Sequence, residues 1–408
     1  MNDLLKKLKE SGLIVPANQL ASKPGNPKRI KFDDVFIGSW DLRQSGDVFI
    51  IHEIRPYGYK HGNLKIRNNS ELSNFSKFEH FPTDSDTRIA YFDIETSNLS
   101  FGAGSFVFLI GICYLTDLGI ETNLLMIEHP SAEKGLLEVF NTMIDKFDVI
   151  CSYNGKSFDA PFIRNRNAFH RLDHTLAQKH HIDLLTYARR LWKIRLESCR
   201  LSEIERTILC VDRDESEIPG WLVPQTYFDF LQNRDAHILK GVVYHNMIDV
   251  VSLAALFQHI SDIIQHSKSG NEIEPVDFFS LAKLYESVDD LPQAGNYYQL
   301  ALDGLLESDI AKQIQRKYAL LLKRLGDLKN AVVWWEKSAL AGDIESCIQL
   351  SMYYEHKQKD YDQAGLWAEK AMSLVKIQND GTFHDSDQID DISHRLDRIS
   401  RKKTKNEK

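Results

Sequence analysis

Cysteine is scarce and poorly spaced for chemistry: the five in 408 residues, Cys113, Cys151, Cys199, Cys210 and Cys347, form no CxxC pair and no close, even framework. That excludes a zinc ribbon and a disulfide scaffold, and it makes a reducing compartment, the cytoplasm, the expected location. Long apolar runs are missing too. The longest, residues 106–115, is about half the ~20 residues a membrane helix requires. The opening MNDLLKKLKESGLIV has neither the apolar core nor the small-residue cleavage site of a signal peptide and reads as a short amphipathic helix. No membrane partner is expected. Positive charge is in deficit: the net charge is −8, so the field of the whole chain repels nucleic acid, and any site for it must be a local patch. Two basic clusters stand out, Arg164 with Arg166 and Arg171, and Arg189 with Arg190, Lys193, Arg195 and Arg200. Each reads equally well as a solvated helix face.

What is present is ordinary globular composition, 43% hydrophobic and 26% charged, in a chain longer than one core usually organises, so two or three domains are expected. Residues 1–86 read as an N-terminal extension, a short helix plus a β-rich segment, closed by a polar linker at 82–87. From Arg88 the pattern turns to strong strands: RIAYFDIE, FVFLIGICYL, a turn at TDLG, then NLLMIE. Their short connections predict an antiparallel meander. A helix over 131–146, with Leu136, Leu137, Phe140 and Ile144 on one face, leads into the buried strand DVICSY, and strand, helix, strand means a parallel crossover. The expected class is therefore an α/β mixed sheet, an antiparallel meander plus parallel βα units, over residues 87–268. That is the order of a ribonuclease-H-like fold.

Past residue 269 the strands disappear and a repeat begins. Leu281, Ala282, Tyr285, Ala294, Tyr298 and Ala301 are followed by Tyr318, Ala319, Leu322, Ala331 and Trp335, and more loosely by Leu350, Ser351, Tyr354, Ala364, Trp367 and Ala371. The steps from Ala294 to Ala331 and from Ala331 to Ala364 are 37 and 33 residues, near the ~34-residue tetratricopeptide period. Residues 269–375 are read as an all-α tetratricopeptide-like domain able to take a protein partner, an unrelated helical bundle being the alternative. Residues 376–408, acidic and then basic, are expected to be a charged, partly disordered tail.

Three segments carry carboxylates in a suggestive order. Alternation along RIAYFDIET puts Asp93 and Glu95 on the same face of a strand end, where two adjacent acids stay ionised at low cost only beside a cation. In NGKSFDAPF, Asp159 follows a strand and a turn; taken alone it is a good helix cap, with Pro161 marking the first turn, whereas with Asn154 it makes N-x3-F-D. In the periodic helix HNMIDVVSLAALFQHI, Asp249 shares its face with Leu253, Leu256 and Ile260, and His245 lies one turn before it. A carboxylate on an apolar face needs a partner. Four acids can balance two divalent cations, and all-oxygen ligation favours Mg2+ or Mn2+.

The order D-x-E, N-x3-F-D, then a late helix with His or an aromatic before Asp resembles the DEDD 3′-5′ exonuclease superfamily. Closer still, HIDLLTYARRLW, CRLSEIE, IPGWLVPQTYFDFL and HNMIDVVSL, with a weaker echo at His61-Gly62, resemble the YprB-type family of ribonuclease-H-like exonucleases over residues 86–268. The resemblance implies metal ligation by Asp93, Glu95, Asp159 and Asp249 and a general base from the third segment. Superfamily members carry Tyr four residues, or His five residues, before the last Asp; here His245 and Tyr244 exchange those places. Helical geometry favours His245 as the base, with Tyr244 as the alternative. The implied activity is stepwise hydrolysis of a single-stranded 3′ end, the strand held by Asn154, Phe158, Arg164 and Arg166. The alternative is a weak or inactive nucleic-acid-binding adaptor working through its repeats.

Overall fold

The structure is a computed structural model, and it describes residues 29–68, 72–79, 81, 87–98, 104–173, 175–213, 218–265, 273–305, 309–379 and 386–406. The amphipathic N-terminal helix and most of the 82–87 linker expected above lie outside these residues. Two compact units are present, one of residues 1–185 with 200–260, the other of 186–199 with 261–408.

The first unit is built on a seven-stranded sheet in the order β1-β2-β7-β6-β5-β8-β9. Its strands are β1 (Ser39–Asp41), β2 (Val48–Arg55), β5 (Ile89–Thr96), β6 (Val107–Thr116), β7 (Gly119–Met126), β8 (Val149–Ser152) and β9 (His180–Asp183); β3 (Lys60–His61) and β4 (Leu64–Lys65) form a separate ribbon. The strands β5, β6 and β7 are the antiparallel meander, and β8 and β9 extend it in parallel beside β5. The crossover to β8 is α1 (Glu133–Ile144), whose Leu136, Leu137, Phe140 and Ile144 are wholly buried. This is the α/β mixed sheet that the strand order predicts.

The β-rich N-terminal segment is not a separate body. Its β2 pairs antiparallel with β7 along Phe49–Met126 to Arg55–Ile120, so it widens the same sheet. Burial of aromatic surface fixes it there: Phe32 lies 5.4 Å from Phe230, 5.6 Å from Phe49 and 6.1 Å from Trp40, ring centre to ring centre. The remaining helices of this unit are α2 (Asp159–His170), α3 (Leu184–Trp192, which runs into the second unit), α4 (Leu201–Ile204), α5 (Val223–Asn233) and α6 (Lys240–Gln265). Residues 236–265, mostly α6, are long and apolar enough to cross a membrane by length and composition, and 94% of the most apolar window is buried in protein, the pattern of a core helix.

The second unit is helical: α7 (Pro275–Glu286), α8 (Leu291–Gly304), α9 (Asp309–Arg324), α10 (Leu328–Leu340), α11 (Ile344–Tyr353), α12 (Tyr361–Asn379) and α13 (Ser386–Asn406). A local device recurs at the turn inside three successive helix pairs. Asp290, Asp327 and Asp360 each accept a hydrogen bond from the backbone N–H three residues on, at 3.3, 3.2 and 3.0 Å. The residue before each, Asp289, Gly326 or Lys359, is left-handed, with φ of 60, 84 and 58°. Four residues after each Asp comes Ala294, Ala331 or Ala364, all wholly buried. Turn, cap and small packing residue thus share one register, and that is why the alanine spacing is visible in sequence.

Part of the charged tail forms α13. Ile392 and Ile399 are buried on one stripe, and Arg395, Arg398 and Lys402 converge on Glu355, whose side chain has no exposed surface. Burial pushes the Glu355 carboxyl up, but hydrogen bonds from Arg398 at 2.8 and 2.9 Å and from Lys402 at 2.8 Å outweigh it and hold the group down at about 2. A carboxylate depressed in the folded state stabilises above its unfolded value of roughly 4.3, and that contribution disappears as pH falls towards 2. Glu355→Gln is expected to cost about 2 kcal/mol near neutral pH and almost nothing near pH 2, read as the difference in thermal unfolding from wild type; a difference that does not change with pH would contradict this.

Candidate active site

Three elements bring the sequence-predicted acids to one place. Asp93 and Glu95 leave β5 on one face, and the pairing with β6 slips by one residue immediately after Glu95, an irregularity of the kind that locally bends a strand. Asp159 is the first residue of α2 and is buried; it is not the cap, since Phe158 holds that position and makes no side-chain cap bond. Asp249 sits in α6, also buried, with His245 one turn before it and 3.6 Å away. His245 is thus the residue set against Asp249, as the four-residue spacing predicts, while Tyr244, half-buried, starts from a different face of the helix.

The electrostatics record the crowding. Burial first, then Asp249, Glu95 and Asp159, hold the Asp93 carboxyl well above the usual carboxylate range, and a hydrogen bond from Asn246 Nδ2 at 2.8 Å pulls the other way. Burial and Asp249 do the same to Glu95. Asp159 is pushed to about 7 by burial and by Asp183. Like charges this close are tolerated only if some protonate or a cation joins them.

Asp183, at the end of β9, was legible only as part of HIDLLTYARRLW. It accepts the backbone N–H groups of Asn154 at 2.8 Å, Lys156 at 3.2 Å and Leu185 at 3.1 Å. That pins the turn in which Asn154 is left-handed, φ 64°, and so places Asp159. Asn246 is another residue that sequence reading passed over. Opposite Asp93 in the sheet is Gly111, where a Cβ would stand 2.1 Å from Asn246 Oδ1, so the glycine makes the room in which Asn246 reaches Asp93.

Two further residues had no sequence signal as site residues. Arg213 donates from Nη2 to Asp249 Oδ1, from Nε to Glu205 Oε2 at 2.8 Å and from Nη2 to the same oxygen at 2.5 Å, and its Nη1 lies 3.1 Å from His245 Nδ1. Glu205, from the CRLSEIE segment, is buried, and burial with Asp249 raises it to about 7 against the pull of Arg213. The echo at His61-Gly62 acquires a reason as well. His61 Nε2 lies 2.7 Å from Ser252 Oγ on α6, and Gly62, at φ 58°, lies so close to the backbone of Leu209 that a Cβ would be 2.0 Å from its carbonyl oxygen.

Of the residues expected to hold a strand, Asn154 and Arg164 are exposed, and Phe158 is half-buried with its ring 5.8 Å from that of Phe162. Arg166 is not available for that role. It is buried against Glu133, donating to its two oxygens at 2.8 and 2.5 Å, because a buried Glu133 at the start of α1 requires a cation.

Four carboxylates with no sulfur donor suit hard divalent cations such as Mg2+ or Mn2+. As the side chains stand, no group of three or more His, Cys, Asp and Glu among the described residues has a metal-holding arrangement. Arg213 occupies Asp249, and Asn246 occupies Asp93. The donor chemistry fits a cation, and an internal cation already lies on part of it.

Residues 90–261 match the RNase_H superfamily. The chain is 30% identical over 363 residues to the uncharacterised protein YprB of Bacillus subtilis (strain 168), covering 84% of this chain and 86% of that one. Among solved structures it is similar to BtubC (BKLC) from P. vanneervenii, at TM-score 0.32 and 16% identity over 54% of this chain and 83% of that one. It is similar also to a family B DNA polymerase from the archaeon Pyrobaculum calidifontis, at TM-score 0.36 and 16% identity over 62% and 33%.

Two consequences can be measured. Gly111→Ala should cost about 1–3 kcal/mol by overpacking, and Asn246→Ala should cost less in that background than alone; strictly additive losses in urea unfolding would refute the contact. Secondly, an acid raised in the folded state loses its proton first from the unfolded chain, near pH ~4 for Asp, so metal-free stability falls as pH rises through and above that value. In EDTA, Asp93→Asn is expected to raise the melting temperature near pH 8 and not near pH 4; an equal shift at both would refute the charge crowding.

Proposed function

The chain belongs to the YprB family within the RNase H superfamily, and from that premise we propose that it is a metal-dependent 3′-5′ exonuclease of the DEDD class acting on single-stranded nucleic acid. The observation that carries the reading is the convergence of Asp93, Glu95, Asp159 and Asp249 from β5, α2 and α6 on one electrostatically coupled site. Such a cluster is costly for folding and is explained by chemistry that uses it. Two divalent cations, Mg2+ or Mn2+, held by these four acids would supply an activated water and neutralise the leaving oxygen of the phosphodiester.

The residues around the acids have separable tasks. His245, set against Asp249, orients and deprotonates the attacking water, with Tyr244 as the alternative base. Asn154 and Arg164 present exposed polar groups to the strand, and Phe158 offers an aromatic ring for a terminal base to stack on, which is tolerant of sequence. Asn246 holds Asp93 in place without adding charge. The tetratricopeptide reading of the second unit rests on the shared register of cap, turn and alanine, and it supports a protein partner on the helical repeats. A cytoplasmic location is part of the same proposal, since five scattered cysteines suit a reducing compartment.

A second reading has its own support. Arg213 on Asp249 favours a catalytically weak nucleic-acid-binding adaptor. Digestion of end-labelled single-stranded DNA and RNA with Mn2+, Mg2+ or EDTA separates the two. Stepwise shortening from the 3′ end is expected, abolished by EDTA and by Asp93→Asn, and reduced about 100-fold or more by His245→Ala. Binding without shortening by the folded, metal-supplemented protein would establish the adaptor reading instead.

A further inference from the structure

The four acids account for the proposed chemistry, but Glu205 and Arg213 stand outside that set and touch it. Arg213 is fastened at one end and engaged at the other: Nε and Nη2 both reach Glu205 Oε2, at 2.8 and 2.5 Å, while Nη2 also reaches Asp249. Both carboxylates are buried, and the arginine side chain keeps only 9% of its surface exposed. Glu205 is itself supported. It lies at the start of the helical turn that ends at Leu209, and that turn is clasped by Gly62 and by the hydrogen bond from Asn63 N to Leu209 O at 2.8 Å.

We propose that Arg213, anchored on Glu205, is a built-in competitor for the divalent cation at Asp249: it neutralises that acid in the metal-free protein and must release it for the metal to bind. The inference rests on the metal reading above and deepens it. A guanidinium and a divalent cation cannot share the same carboxylate oxygen without strong repulsion at close range. The anchor matters because Glu205 gives the displaced arginine a second carboxylate to remain on, so that its charge stays buried and paired after the exchange. Released from Asp249 and held on Glu205, the same guanidinium lies beside His245, where it can meet a phosphate oxygen of the strand, a group that it matches in geometry.

The test is Mn2+ binding to the full chain, by isothermal titration calorimetry and by electron paramagnetic resonance of the free ion, with no substrate present. Arg213→Gln is expected to bind Mn2+ at least about fivefold more tightly than wild type while melting at a lower temperature in EDTA, and the gain should vanish in an Asp249→Asn background. A merely structural arginine would lower stability without tightening the metal. Arg213→Lys, which keeps the charge but cannot fork across both acids, should also bind more tightly and serves where Arg213→Gln does not fold. Mn2+ uptake by wild type that is unchanged or weakened in these variants overturns the competitor and leaves the metal site standing. No uptake by wild type or by either variant at millimolar Mn2+ overturns both.

Discussion

Repulsion among buried carboxylates is the constraint from which the rest of the first unit follows. Burial and their neighbours raise Asp93, Glu95 and Asp159, and nothing in the hydrophobic packing around them offsets that cost. Each is held by its surroundings instead: Asp93 by Asn246 through the gap at Gly111, Asp159 by the turn that Asp183 pins, and Asp249 by Arg213. Repulsion stored in this way is relieved either by protonation of some of the acids or by a cation between them.

The sheet explains how such a cluster is kept open at one end of a dense core. Antiparallel pairing ties β5 to β6 along seven residue pairs, parallel pairing ties it to β8, and the register slips after Glu95, where the acids emerge. Below them Ala90, Phe92 and Ile94 are buried in the main hydrophobic cluster with residues of β6 and α1. The long helix α6 then lies across the acids and supplies Asn246, Asp249 and His245 from neighbouring positions. The second unit solves a different problem with local means. Its turns repeat one recipe, a left-handed residue, an aspartate cap and a buried alanine, and its last helix is fixed by three basic side chains on one buried glutamate.

The patterns that were legible in the sequence share a short range. Strand alternation placed Asp93 beside Glu95, the four-residue helical return placed His245 beside Asp249, and the alanine period marked the helix pairs, because each depends on residues within a turn or a strand of one another. The acids were legible as a set because each stands in a segment with its own signature. By itself, the sequence determined the mixed α/β sheet and the helical region after it, and it singled out four acids that the fold brings together. Tertiary structure decided what each charge faces. It took Arg166 out of the surface and onto Glu133, widened the sheet with β1 and β2, and docked part of the charged tail as a helix. It also put Arg213 on Asp249 from 36 residues away. The reason is physical: a charge's partner is set by where burial leaves it no water, and burial is a property of the folded chain that periodicity along the sequence does not encode.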